Sequence, residues 1–240
     1  MSNKPGRMKV GSIGDGLEGI ILVKALAAAG HTAEAINVSK DESIERADSL
    51  LPQVEMVSMQ EVVERCDLII IAMDADSTEE AVTGLAQLGY FSPGKIVIHC
   101  SPMRGYAILA SAARAGAIPN AMHPIVDFSG TSLDLLTLQD SVSAVSAPDS
   151  VLPIAQGIAL EIGTDPIVVA EYQRPAYAEA FSSLSNFPKM IVSQAISELE
   201  AEEVPRVVDL VAPMARAAVE RALREGGIGP NPEDCESFIM

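Results

Sequence analysis

A glycine-punctuated turn between a short apolar run and a long Ala/Leu/Ile-rich segment constrains this chain more than any other stretch. Met8–Gly30 reads MKVGSIGDGLEGIILVKALAAAG. Val10 to Ile13 has the character of a buried strand, Gly14-Asp15-Gly16-Leu17-Glu18-Gly19 follows, and the next segment ends at Gly30, a residue suited to stopping a helix. Strand, G-x-G-x-x-G and helix, in that order, form the context in which this spacing points to a dinucleotide. Gly14 permits the tight turn, Gly16 lets backbone N–H groups reach a pyrophosphate, and Gly19 lets the helix pack on the strand. The helix N-terminus adds unpaired N–H donors and a partial positive charge, with Asp15 and Leu17 among the turn residues expected at the cofactor. The alternative is a tight strand–helix turn that binds nothing. On the ligand reading, valine at Gly16 should abolish binding and spare the fold.

The rest of the first two thirds repeats the alternation. Thr32–Val38 reads as a second strand, Ser43–Leu51 as an amphipathic helix closed by Pro52, Gln53–Met56 as a brief strand, and Met59–Arg65 as a helical turn or two. Cys66–Met73 (CDLIIIAM) is the clearest strand, a β-branched run of the kind buried on both faces. Ser77–Leu88 reads as a helix capped at Ser77 or Thr78, Lys95–His99 as a strand, Arg104–Ala115 as a helix and Ala117–Met122 as a strand. Strands at Ser141–Ala147 and Pro166–Ala170 flank a helix at Val151–Ile162. This pitch implies a doubly wound, mostly parallel α/β sheet. From Arg174 to Glu225 nothing reads as strand, and Pro175–Glu200 and Val204–Glu225 carry apolar residues at helical spacing. The expected division is an α/β domain over residues 8–171, a small all-helical domain over 172–228 and a loosely ordered tail over 229–240.

The end of the second strand bears on cofactor choice. An acidic residue there favours NAD, whereas its absence beside basic or hydroxyl groups accommodates a 2′-phosphate. The chain reads Asn37-Val38-Ser39-Lys40, with no carboxylate until Asp41. The expectation is NADP, with NAD possible, and with Asn37, Ser39 and Lys40 at the adenosine end. The alternative is an ordinary loop whose Ser and Lys are solvated.

In open parallel sheets ligands sit beyond the carboxyl ends of the strands. That rule nominates the glycine turn, Met73–Asp76, Cys100–Pro102 and His123-Pro124. His123 is the sharpest candidate, because an imidazole at a strand end can pass a proton to a carbonyl or imine undergoing reduction. A histidine that bonds a loop carbonyl is the competing reading. His99, inside a strand, reads as structural, and His31, just past a helix end, as a complement to the helix dipole. Asp74 and Asp76 are explained by helix capping at least as well as by a metal, and no metal is expected. Asp15 and Glu18 would approach the pyrophosphate unless they point outward.

Composition sets limits on partners. The 240 residues carry a formal charge of −17, with 48% hydrophobic and 20% charged residues, enough to bury a sizeable core. That acidity argues against nucleic acid and anionic membrane surfaces, which want a basic face. Cys66, Cys100 and Cys235 are odd in number and widely spaced, unlike a zinc or disulfide framework. Leu68–Met73, the longest apolar run, is far too short to span a bilayer, and Met1–Lys9 lacks the apolar core of a signal peptide. A cytoplasmic protein acting on a small molecule is expected.

The VGSIGDGLEG opening and the CDLIIIAMD strand resemble the Rossmann domain of the 6-phosphogluconate dehydrogenase-like superfamily, which includes β-hydroxyacid dehydrogenases, pyrroline-5-carboxylate reductases and ketopantoate reductases. More narrowly, Ile98-His99-Cys100-Ser101, the run Ala121 through Phe128, and Tyr177 through Ser185-Asn186-Phe187 are similar to Rossmann-like proteins with a DUF2520 C-terminal domain. The resemblance implies NAD(P)-dependent reduction of a small carbonyl or imine compound such as a 2-keto acid, and a homodimer formed through the C-terminal helices. It places His123, Ser101, Tyr177, Ser185 and Asn186 in the site; Met73, Asp74 and Cys100, nominated by the strand-end rule, are expected on the cofactor side. Asn186 would orient the substrate, because a neutral amide can hydrogen-bond but not shuttle protons. Two departures stand out: Ala178 where the family pattern has His, and Pro232-Glu233-Asp234 after Gly229-Pro230, with a shortened helical domain. They leave a second reading, a dinucleotide-binding sensor or partner subunit without turnover.

Overall fold

The computed structural model describes residues 7–226; the expected tail at 229–240, and Cys235 with it, lies outside them. In chain order the elements are β1 (Lys9–Ile13), α1 (Leu17–Ala29), β2 (Thr32–Asn37), α2 (Asp41–Leu50), β3 (Glu55–Met56), α3 (Met59–Arg65), β4 (Leu68–Ile71), α4 (Ala75–Gln87) and β5 (Ile96–His99). There follow α5 (Ala110–Arg114), β6 (Ile118–Pro124), α6 (Asp134–Leu138), β7 (Val142–Ser146), α7 (Leu152–Glu161), β8 (Asp165–Val168), α8 (Arg174–Ala201) and α9 (Val207–Arg224). The eight strands form one sheet in the order β3-β2-β1-β4-β5-β6-β7-β8, and the described residues divide into two compact units between Glu179 and Ala180.

All strand pairs are parallel except β6 with β7, where Ala121 faces Ser146 and His123 faces Ala144. The chain runs outward from β1 through β2 to β3, then returns to β4 on the other side of β1, which makes the β1/β4 boundary the switch point of the sheet. Leu68-Ile69-Ile70-Ile71 is buried along its whole length because alternate side chains enter two different cores. Leu68 and Ile70 pack with Ile20, Leu22 and Leu26 of α1 and with α2 and α7, whereas Ile69 and Ile71 pack with Val62 and Val63 of α3 and Val82 of α4. That is the doubly wound α/β fold its sequence pattern implies.

Local signals fix several element ends. Gly30 takes a left-handed φ of 108° and its N–H bonds the Ala27 carbonyl, closing α1. Ser58 and Glu61 form a reciprocal capping box on α3. Asp74, not Ser77 or Thr78, caps α4, its carboxylate accepting the Ser77 N–H at 2.9 Å. The helix expected over Arg104–Ala115 is instead a 3-10 turn at Tyr106–Leu109 leading into the short α5, and α6 had no counterpart in the sequence reading.

The glycine turn is packed tightly enough to make its own prediction. Gly14 sits at φ +107°, and a Cβ there would lie 2.3 Å from the Ala72 carbonyl oxygen. Gly14→Ala should therefore destabilise the first unit by at least about 2 kcal/mol, from backbone strain plus a clash with main chain. Chemical denaturation measures this; a loss under about 0.5 kcal/mol would show that the turn relaxes freely.

Candidate functional site

The turn after β1 is tied to both neighbouring strands. The Gly14 N–H donates to the Asn37 carbonyl at 2.9 Å, and the Gly16 N–H donates to the Ala72 carbonyl at 3.0 Å. Cβ atoms on Gly16 and Gly19 would lie 2.8 Å from the Ala72 oxygen and the Ala72 Cβ respectively. All three glycines thus serve the close approach of this turn to the end of β4, so valine at Gly16 disturbs the turn itself as well as any ligand, and the expectation of an untouched fold does not hold. The Gly16 amide is spent on Ala72, the Gly19 amide donates to the Gly16 carbonyl at 3.2 Å, and the Glu18 amide bonds its own carboxylate, so an anion at the start of α1 competes with the Glu18 side chain for that amide.

Both acidic residues of the turn have definite places. The Asp15 carboxylate reaches across to the loop after β2, where Oδ1 accepts the Ser39 N–H at 2.8 Å and the Lys40 N–H at 3.0 Å, and Oδ2 accepts the Ser39 hydroxyl at 2.6 Å. The Ser43 hydroxyl adds a bond to the Asp15 carbonyl at 3.3 Å. Partial burial would push the Asp15 carboxyl up, but the bonds from Lys40, Ser39 and Ser43 outweigh it and bring the pKa down to about 2. Glu18 instead folds over the turn: a Cβ on Gly16 would lie 2.8 Å from each of its carboxylate oxygens. Burial raises the Glu18 pKa, offset in part by a bond from its own amide, so it gives up its charge more readily than an ordinary glutamate.

The remaining residues nominated for the cofactor are held as follows. Asn37 donates its side-chain amide to the Val57 carbonyl at 2.7 Å, a bond that pins β2 to the start of α3. Leu17 opens α1, half-buried, and Met73 packs against the α3/α4 core. Asp74 is exposed and committed to capping α4. Cys100 is buried, and burial, then the nearby Glu18, raise its thiol pKa well above the ordinary value, which leaves it inert. The strand geometry brings Gly14–Glu18, Ser39, Lys40 and Met73 together at the switch point.

A second cluster lies at the carboxyl ends of β5 and β6 in the first unit. His123 Nδ1 is 2.7 Å from the Tyr177 hydroxyl, with the rings edge to face. The Arg174 guanidinium carbon sits 5.3 Å from the Tyr177 ring centroid. Arg174 is 2% exposed; its Nη2 donates to the Ala121 and Ala144 carbonyls, each at 3.4 Å, while Nε and Nη1 have no protein partner. In a chain with 33 acidic residues, no carboxylate among the described residues forms an ion pair with it. Burial, followed by the charge of Arg174, lowers the His123 pKa to about 4, so the imidazole is neutral at pH 7. The Tyr177 pKa is raised by burial and held back by Arg174.

His99 belongs to the scaffold of this cluster, as its place in a strand suggests. It is fully buried, its Nε2 donates to the Gly105 carbonyl at 2.8 Å, and burial, despite that bond and with help from Arg174, takes its pKa to about 4. The segment Gly105–Ala107 is also held by Glu171, which accepts the Tyr106 N–H at 3.0 Å and the Ala107 N–H at 3.3 Å. Arg174 and Glu171 are not among the residues the sequence nominates, although a lone Arg three residues before Tyr177 is a visible signal. Ser101 is buried and accepts the Met103 N–H at 3.3 Å. Ser185 and Asn186 lie in the second unit on α8, where the exposed Asn186 amide donates to the Ser182 carbonyl at 2.8 Å. His31 does more than sit at a helix end: Nδ1 accepts the Met8 N–H at 3.1 Å and Nε2 is 3.0 Å from Glu161. Among the described residues no cluster of His, Cys, Asp and Glu could hold a metal ion, and no helix is long and apolar enough to cross a membrane.

A mostly parallel sheet with a glycine turn at its switch point, helices on both faces and a helical C-terminal region define a Rossmann-like α/β protein. Within that class the chain belongs to the Rossmann-like/DUF2520 family: the Rossmann-like domain model matches residues 2–124, and that of DUF2520, a domain of unknown function, matches 141–229. A comparison with curated protein sequences gives no match. Solved structures of similar fold include a Bacteroides fragilis protein assigned as an NADP oxidoreductase, with a TM-score of 0.70, 16% identity, and coverage of 90% of this chain and 80% of that one. An imine reductase variant from Myxococcus stipitatus in complex with NAD+ gives a TM-score of 0.61 at 16% identity, covering 91% of this chain and 76% of its own. A pyrroline-5-carboxylate reductase from Coxiella burnetii gives 0.63 at 12% identity, covering 98% and 86%. At these identities the likeness establishes the fold.

Proposed function

We propose that this protein is a nicotinamide-dinucleotide-dependent reductase of a small carbonyl or imine compound, with anionic 2-oxo acids as the first substrate class. The observation that carries the reading is the His123–Tyr177 pair at the end of β6, beside a buried Arg174 that forms no ion pair among the described residues. The names of the structural neighbours, reductases and an NADP oxidoreductase, support the same class of reaction.

The Leu17 and Glu18 amides at the start of α1 would hold a pyrophosphate once the Glu18 carboxyl is protonated or swung aside, with Gly14 and Gly16 giving it room to approach. When bound, the reduced nicotinamide supplies the hydride. The chain's own groups then handle the proton. Tyr177, kept protonated by its raised pKa, donates to Nδ1 of neutral His123 and fixes the tautomer with hydrogen on Nε2. Nε2–H polarises the oxygen or nitrogen being reduced; as its proton leaves, the Tyr177 proton moves to Nδ1. Arg174 stabilises the tyrosinate so formed, and solvent returns the proton. Its positive field also favours an anionic substrate. In this reading Ser101 orients the substrate, and Ala178 replaces no proton donor the relay needs.

Second copies of the chain are the proposed partner. Leu184, Phe187, Met190 and Ile191 on α8 and Met214 and Leu223 on α9 are each more than half exposed, an apolar surface in keeping with self-association.

Calorimetric titration of the full chain with NADH and NADPH tests the reading. Micromolar binding of at least one is expected, followed by its oxidation in the presence of a 2-oxo acid or cyclic imine. Binding of neither would overturn the dinucleotide site. Binding without oxidation across such a panel would favour the sensor reading, to which Glu18 folded over the turn gives some support.

A further inference from the structure

We infer that Asp15 selects the adenosine end of the dinucleotide, excluding a 2′-phosphate and favouring a free 2′-hydroxyl. This deepens the cofactor reading above and rests on it. The loop after β2 is where Ser39 and Lys40 would contact a 2′-phosphate. Its donors are the Ser39 N–H, the Ser39 hydroxyl and the Lys40 N–H, and all three already point at one carboxylate, Asp15, at 2.8, 2.6 and 3.0 Å.

The arrangement is that of an anion cradle filled from within. α2 has no cap of its own, because its N-cap residue is Lys40, whose side chain cannot accept. A carboxylate from 25 residues earlier in the chain performs that task. A phosphate arriving there must break three hydrogen bonds that include two charge-assisted main-chain contacts, and then lie against the displaced carboxylate. Asp41 and Glu42 in the first turn of α2 add two further negative charges. A ribose hydroxyl faces no such conflict: it can donate to a lone pair that Asp15 still has, since a carboxylate offers about four acceptor positions. The acid that reads the ribose in other dinucleotide folds stands at the end of the second strand. Here the first glycine turn supplies it, which is why Asn37-Val38-Ser39-Lys40 carries none.

Kd values for NADH and NADPH, measured calorimetrically at one ionic strength on the parent chain, Asp15→Asn and Asp15→Ala, test this. The parent should bind NADH at least about tenfold more tightly than NADPH, the scale of discrimination that one mismatched charge produces. Asp15→Ala should shift the NADPH/NADH ratio by about tenfold or more towards NADPH. Asp15→Asn keeps an oxygen for the Ser39 and Lys40 amides and so preserves the cap; it should shift the ratio in the same direction, and it decides the matter if circular dichroism shows Asp15→Ala unfolded. A parent that prefers NADPH, or a ratio unchanged within about twofold in the folded variants, overturns the role of Asp15 while leaving the dinucleotide site standing. Binding of neither dinucleotide to the parent overturns both.

Discussion

His123→Ala should lower turnover by on the order of a hundredfold or more, with the dinucleotide Kd changed little, since general acid–base groups contribute on that scale. Tyr177→Phe keeps the ring beside Arg174 but removes the hydroxyl that hands a proton to Nδ1, and it should retain part of the activity, because solvent can substitute for the second proton of the relay. The two losses should not add, as the residues act as one unit. The pH profile separates this mechanism from the simpler one in which an imidazolium is the acid. Burial and then Arg174 depress the His123 pKa from 6.5 to about 4. A base with a depressed folded-state pKa stays neutral down to that value, so kcat should be flat across pH 6–8 with its acid limb near pH 4. An acid requirement with a midpoint near 6.5 would restore the imidazolium, and an unchanged rate in His123→Ala would move the role elsewhere.

Arg174→Met should make the protein more stable and less active at once. Burying a guanidinium that lacks an ion-pair partner is costly, and exchanging a buried charge for an apolar group of similar volume stabilises by about 1–4 kcal/mol in favourable cases. For a chain of this size that corresponds to a rise in melting temperature of roughly 2–4 °C per kcal/mol. The same change removes the charge that faces the Tyr177 ring and helps keep His123 neutral, so kcat/KM for an anionic substrate should fall by at least about tenfold. The acid limb of the pH profile separates this from a packing defect, because it should move up in pH as the Arg174 contribution to the His123 pKa disappears. Arg174→Lys, with a more strongly hydrated head and no planar fork, should recover little. A destabilised Arg174→Met with unchanged kinetics would show that the guanidinium serves packing alone. A chain keeping such a residue at the expense of stability is the usual trade made at functional sites.

Part of the site was legible because the signals are local. Gly14-x-Gly16-x-x-Gly19 between a strand and a helix, and His123 beside Pro124 at a strand end, announce themselves within a few residues. The Tyr177 and Asn186 assignments rest on family resemblance, and the structure joins Tyr177 to His123. Arg174 escaped notice because an Arg at a helix start reads as surface; only the packing around β6 and β7 reveals that it is buried and unpaired. From sequence alone Asp15 is a threat to the pyrophosphate, since nothing in the turn says where its side chain goes.

The chain by itself determined the alternation of strands and helices, the two-sided burial of Leu68–Ile71, and the turn whose glycines admit the end of β4. Each follows from periodicity, backbone freedom or side-chain size acting over a few neighbours. The tertiary structure alone decided that Asp15 fills the Ser39–Lys40 cradle, that Tyr177 meets a histidine 54 residues away, and that Arg174 is buried with two guanidinium nitrogens unbonded. Those contacts join residues far apart in sequence, and their energies depend on burial and on orientations that exist only once the sheet has brought the segments together.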